Sequence, residues 1–205
     1  MTLSETMKFE KPKAKDRILD AAAKVFAEQG IKGATTREIA KLADVNETTL
    51  FRNFQSKELL LKAVVEKASA EISEALAGPG MSNHNLHKDL LYYAEAYSKV
   101  LEKNEPMVRM FIGEAYRQRE EASLIAVSAW KPVRDKLIAY LEDAKANGQV
   151  RSDLDTIQAI DMLKGILLAH MLRKGHGTIE YSTDSYLQTV LEIFIRGIVP
   201  PPATR

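Results

Sequence analysis

Apolar residues recur every three to four positions along almost the whole chain, and no stretch alternates as a half-buried strand does. That period restricts the chain to an all-α fold. The first helix spans Lys15 to Gln29, with Ile18, Leu19, Ala22, Val25 and Phe26 on one stripe and Gly30 as its stop. A short second helix starts at Thr35, where Thr35-Thr36-Arg37-Glu38 reads as a capping box, and carries Ile39, Ala40 and Ala43 inward. Asp44 sits where the chain must turn, and Asp tolerates the left-handed conformation better than most residues. A third helix starts from Asn46 as N-cap and presents Val45, Leu50 and Phe54 to the core. Ser56 caps a fourth that reaches about Leu76.

Gly78-Pro79-Gly80-Met81-Ser82-Asn83 is the clearest break and reads as a mobile loop. Five more helices follow, at 87–103, 105–118, 122–146, 155–173 and 183–198. Pro106 falls in the first turn of one, where a missing amide costs nothing. Pro132 is expected to kink another. Asn147-Gly148 ends that helix, and Asp155 with Gln158 caps the next. The expected organisation is a flexible arm at 1–13, a helix-turn-helix domain at 14–60, a helical bundle at 61–199 and a disordered tail at 200–205.

Composition narrows the function classes. The chain has no cysteine, which removes disulfides and thiolate metal sites and suits a reducing cytosol. Its start is polar, without the apolar core of a signal peptide, and no apolar run approaches the roughly 18 residues of a membrane span. A cytoplasmic protein with no membrane partner is expected. Residues 1–57 carry 11 Lys and Arg against 8 Asp and Glu, whereas the remainder carries 18 against 20. A basic front suits a nucleic-acid-binding end, although a merely solvated surface has the same signature.

Enzyme chemistry lacks its usual marks. The close pair His84 and His87 has no Glu-x-x-His beside it, and there is no phosphate-binding glycine loop and no Gly-x-Ser-x-Gly elbow. His170 lies on an apolar helix, where a satisfied core histidine is the commoner outcome. No cofactor or metal is called for.

Residues 31–60 carry the chemistry. Two short helices across a tight turn, the second led by small polar side chains, describe a helix-turn-helix. A recognition helix needs short polar residues at its tip to enter the major groove, and cationic or hydrogen-bonding flanks for phosphate. Asn46, Glu47, Thr48 and Thr49 meet the first need; Arg52, Asn53 and Lys57 meet the second.

Over residues 15–61 the chain resembles the TetR family of regulators. The matching residues are Ile18-Leu19, Phe26, Gly30, Thr35-Thr36, Ile39-Ala40, Ala43-Asp44-Val45, Leu50-Phe51, Phe54 and Ser56-Lys57-Glu58. Asp44 stands where the family usually has Gly, and Phe51 where Tyr is commoner, so a hydroxyl that often reaches phosphate is missing. The resemblance implies that Thr36 and Arg37 meet phosphate, helped by a helix N-terminus. It further implies that Asn46, Thr48 and Thr49 face base edges and that Glu47 accepts from a cytosine amino group. Phe51 would pack on sugar or a thymine methyl, and Arg52, Asn53 and Lys57 would hold phosphate. For each residue a purely structural role stays open: Asn46 as a cap alone, Thr48 as solvated surface.

The last two helices are apolar around more than one face, so each must bury two sides. One side meets the chain's own core. The other, with small Gly165 and Ala169 allowing close approach, suits a four-helix dimer interface, which the family also implies. Leu163, Ile166, Ala169, Leu187, Leu191 and Phe194 are the expected contacts; two central helices of a monomer would show the same pattern. The middle helices hold Tyr92, Tyr93, Tyr97, Met107, Met110, Phe111, Tyr116 and Trp130. With His170, the subset Tyr93, Tyr97, Met107, Met110, Phe111 and Trp130 is the candidate lining of an adaptable pocket, although plain core has the same spacing. Arg109 and Glu114 are candidates to orient a polar group there.

The resemblance therefore implies a homodimeric repressor that binds a near-palindromic double-stranded operator and is released by a small apolar or aromatic effector. A helix-turn-helix protein gated by a protein partner is the alternative.

Overall fold

The computed structural model describes residues 13–77, 85–117, 121–174, 177 and 179–201. The expectations for the N-terminal arm, the loop at 78–83 and the tail beyond 201 lie outside the described residues, apart from Lys13, Pro200 and Pro201. Among the described residues there are nine helices and no strand: α1 (Ala14–Gly33), α2 (Thr36–Leu42), α3 (Glu47–Phe54), α4 (Lys57–Ala77), α5 (Leu86–Lys103), α6 (Glu105–Arg117), α7 (Glu121–Ala146), α8 (Thr156–Lys174) and α9 (Thr183–Ile198). The chain divides into two compact units between Val64 and Val65, inside α4 and about one turn beyond the boundary expected at residue 60. None of these helices is long and apolar enough to cross a membrane.

In the first unit, Ile18, Leu19, Ala22, Val25 and Phe26 of α1 are buried against α2 and α3, which contribute Ile39, Ala40, Leu50 and Phe54. Each such large apolar side chain contributes about 1.5–3 kcal/mol of burial. Gly30 interrupts α1 with φ 73° and ψ 174°, a conformation closed to residues bearing a Cβ. The helix proper thus stops where the sequence says, and a single further turn follows. Thr35 caps α2: its Oγ1 accepts from the Glu38 amide at 3.2 Å.

The turn after α2 is a Schellman motif. The Val45 amide donates to the Ala40 carbonyl (3.0 Å) and the Asp44 amide to the Lys41 carbonyl (3.3 Å). Asp44 holds the left-handed position at φ 53° that a glycine would fill at no steric cost.

In the second unit α5 packs on α8 and α9, and α7 packs on α6 and α8. The core joins Leu90, Tyr93 and Tyr97 of α5 to Leu137 and Leu141 of α7, Leu163 and Leu167 of α8, and Leu191 and Phe194 of α9. Asp155 caps α8 by accepting from both the Gln158 amide (3.0 Å) and its side-chain nitrogen (2.8 Å). The Arg151 amide donates to the Ile198 carbonyl at 2.9 Å, fastening the α7–α8 connection to the end of α9. Pro132 lies within α7, which runs continuously from Glu121 to Ala146.

Candidate nucleic-acid interface

Helix α3 presents a polar, exposed tip because its buried positions are only Leu50 and Phe54. Asn46, Glu47 and Thr48 are exposed there, with Thr49 half-buried behind them. Asn46 serves as the N-cap, its Oδ1 accepting from the Thr49 amide at 2.7 Å, so its side-chain nitrogen remains the part able to meet a base. The Thr36 hydroxyl donates to Glu47 Oε1 at 3.1 Å. That bond joins the start of α2 to the start of α3 and aims the Glu47 carboxylate.

The flanks are less uniform than the sequence suggests. Arg37 and Arg52 are exposed, as is Phe51 at 43%. Asn53 turns back on its own helix, donating through Nδ2 to the Thr49 carbonyl at 2.7 Å. Lys57, half-buried, donates to the Ala34 carbonyl at 3.1 Å, which brings its ammonium beside the first turn of α2. The cationic group and the amides of that turn thus share one spot. The Glu38 carboxyl is held below the usual carboxylate range, first by the Thr35 hydroxyl, then by the Gln29 amide, and less by the Thr35 backbone amide. Those contacts complete the capping box from the other side.

Sequence reasoning missed Arg17. From α1 its Nε donates to the Ala43 carbonyl (3.0 Å) and its Nη2 to the Asp44 carbonyl (3.1 Å). One planar fork spans both carbonyls of the turn that sets α3 against α2. The partners lie 26 and 27 residues away, and no local pattern announces them.

Of the candidate pocket residues, the structure brings together Tyr93, Tyr97 and Trp130. The two tyrosine rings stack at 5.6 Å, and Trp130 meets Tyr97 edge-on at 5.9 Å. Burial pushes both phenols well above the usual tyrosine range. Met107 is buried, and Met110 and Phe111 are half-buried. His170 belongs to a different cluster: its ring lies on Tyr186 at 4.1 Å, with Tyr181 stacked beyond. Burial depresses its pKa, as do the Lys174 and Arg173 charges, against a smaller opposing pull from Glu102. Arg109 is bonded to Glu105 (2.8 Å) and to the Leu172 carbonyl (2.7 Å).

The dimer candidates need revision. Leu163, Leu187, Leu191 and Phe194 are at most 3% exposed within the chain, so their side chains are spent on its own core. Only Ile166, half-buried, and Ala169, exposed, keep surface to offer. Besides Ile157, the outward apolar side chains of these helices are Met162 at 53% and Ile193 at 69% exposed. They edge an open groove of about 620 Å³ between α8 and α9, whose lining includes Ile166, Val190, Phe194 and Gly197.

Residues 18–64 match the family model for bacterial regulatory proteins of the tetR family, and residues 83–190 match that for the tetracycline-repressor-like C-terminal domain. The helix-turn-helix transcriptional regulator YvkB of Bacillus subtilis is 26% identical over 185 residues, covering 89% of this chain and 95% of its own. The transcriptional repressor AcnR of Corynebacterium diphtheriae is 23% identical, over 88% of this chain and 78% of its own. Among solved structures, the regulator FadR of Bacillus subtilis in complex with stearoyl-CoA superposes with a TM-score of 0.77 at 21% identity. That match covers 89% of this chain and 98% of FadR, and at such identity it speaks for the fold alone.

Proposed function

The chain belongs to the TetR family of helix-turn-helix transcriptional regulators, and on that premise we propose that it is a cytoplasmic dimeric repressor released from its operator by a small effector. The observation that carries the reading is the tip of α3, where exposed short polar residues stand clear of a buried Leu50 and Phe54. Asn46, Glu47 and Thr48 enter the major groove, with Thr49 and Phe51 behind them. Arg37, Arg52 and Lys57 hold the phosphates, joined by Thr36 where its bond to Glu47 allows. Asn53, exposed and with one of its two amide hydrogens bonded to the Thr49 carbonyl, has the second left for phosphate.

Two copies associate through the outer faces of α8 and α9, burying Met162 and Ile193 with Ile166, Ala169 and Gly197 at the closest approach. The repressor reading draws support from AcnR, and a small-molecule effector from the stearoyl-CoA bound by FadR. An effector held in the second unit acts through α4, one helix through Val64 and Val65. To be a signal it must bind the state incompatible with DNA more tightly, and operator must then weaken effector binding by the same factor.

The test is selection from a randomised duplex library with the full-length protein. Inverted half-sites about 34–36 Å apart, or a multiple of that, are expected. Lys57→Ala should lower affinity for all sequences alike and reduce the salt slope by about one. A library without enriched half-sites, or an unchanged slope, defeats the assignment.

A further inference from the structure

We infer that Asp89 and Tyr93 form the polar end of the effector site and select a ligand that carries an ammonium head on an aromatic body. The inference rests on the effector-gated reading above and supplies the chemistry of the ligand.

Helix α5 repeats Asp89, Tyr93 and Tyr97 every four residues, which puts them on one face a turn apart. Asp89 is fully buried in the first turn of α5. Its Oδ2 accepts from the Tyr140 hydroxyl of α7 at 2.8 Å, but its Oδ1 has no partner. No Lys, Arg or His forms an ion pair with it among the described residues. The Tyr93 hydroxyl, also fully buried, has no partner either. Buried polar atoms are almost always bonded, and two orphans on adjacent turns of one helix mark a place that something else completes.

The chemistry of the orphans specifies that something. A carboxylate oxygen only accepts, so the missing group is a donor, and in a buried setting a cation offsets the charge as well. An ammonium has three donors: one serves Asp89 Oδ1 and another the Tyr93 oxygen. A carboxylate or phosphate head would bring acceptors where a donor is missing. The same helix face carries the aromatic cluster of Tyr93 stacked on Tyr97 with Trp130 edge-on, into which an aromatic ring or a cation would have to insert. Admission is inexpensive in one respect, since swinging the Tyr93 phenol breaks no hydrogen bond of its hydroxyl.

The experiment uses the full-length protein with three probes of one skeleton, 2-(2-naphthyl)ethylammonium, 2-(2-naphthyl)ethanol and 3-(2-naphthyl)propanoate. Binding is read by titration calorimetry and operator release by fluorescence anisotropy. The ammonium should bind about tenfold or more tighter than the carboxylate. Asp89→Asn, which keeps the acceptor for Tyr140, should erase that preference, and Tyr93→Phe should weaken the ammonium severalfold. The inference is overturned if the carboxylate binds as well, if the preference survives Asp89→Asn, or if the ammonium does not bind because ordered water alone serves Asp89. Ammonium binding lost in Asp89→Asn without operator release upholds the site and refutes the gating. Release by the carboxylate, unaltered in Asp89→Asn, upholds the gating and overturns the site.

Discussion

Arg17→Met keeps an apolar stem of similar reach and removes the fork that holds the turn between α2 and α3. The two bonds lost, to the carbonyls of Ala43 and Asp44, are charge-assisted. Such bonds contribute about 1.5–3 kcal/mol each when desolvated. Here one is half-buried and the other exposed, and solvent screening brings the pair to about 2 kcal/mol. Beside the two Schellman bonds, the fork helps offset the left-handed Asp44, whose conformation costs about 1–2 kcal/mol. Loss of about 2 kcal/mol raises the open population of the turn by about 30-fold. The reporter is the Val45 amide, bonded to Ala40 at 3.0 Å inside that turn, and its hydrogen-exchange protection should fall by the same factor. Arg17→Lys retains the charge and one donor, so about half the free energy and a fivefold loss are expected. Protection of the Val45 amide within about twofold of the parent in Arg17→Met would refute the clamp.

Two further outcomes test the second unit. Ile193→Asp should give a folded, helical monomer in analytical ultracentrifugation, whereas Leu191→Asp should fail to fold, since Ile193 is 69% exposed and Leu191 fully buried. A dimeric Ile193→Asp protein would remove α9 from the interface. His170 is neutral when buried, with a folded pKa below its ordinary 6.5. The unfolded chain therefore binds the extra proton first, and stability is lost as pH falls below about 6.5 until the folded pKa is passed. His170→Phe keeps the ring on Tyr186 and should flatten urea midpoints over that acidic limb; an unaltered pH profile would absolve the histidine.

The sequence was most legible where the physics is local. Thr35, Asn46, Ser56 and Asp155 act as N-caps within three residues of the amides they serve, so the pattern alone finds them. Asp44 at a positive φ and Gly30 as the end of the first helix follow from steric rules of single residues. What escaped was non-local. Arg17 reaches carbonyls 26 and 27 residues away with no signature in its own neighbourhood, and the bond from Lys57 to the Ala34 carbonyl, 23 residues off, is as hidden although Lys57 itself stands in a local motif. On α8 and α9, hydrophobicity revealed two apolar sides but not which was inward: Leu191 and Ile193 read alike until neighbours bury one of them. Residue type alone groups His170 with the pocket, whereas its stacking on Tyr186 depends on how the α8–α9 hairpin closes.

The aromatic chain from Tyr93 through Tyr97 to Trp130 also makes this protein its own spectroscopic probe. Trp130 is the single tryptophan, and all seven tyrosines lie beyond Val64. The recognition unit contains phenylalanine as its only aromatic residue, so it is nearly silent in intrinsic fluorescence and near-ultraviolet dichroism. Emission excited at the indole edge therefore originates in the second unit alone, at a ring set edge-on to Tyr97. Quenching or a blue shift on adding a compound reports events beside Tyr97 directly, without label or substitution. DNA added without effector perturbs that signal only if its binding is felt in the second unit, so one cuvette separates occupancy from coupling.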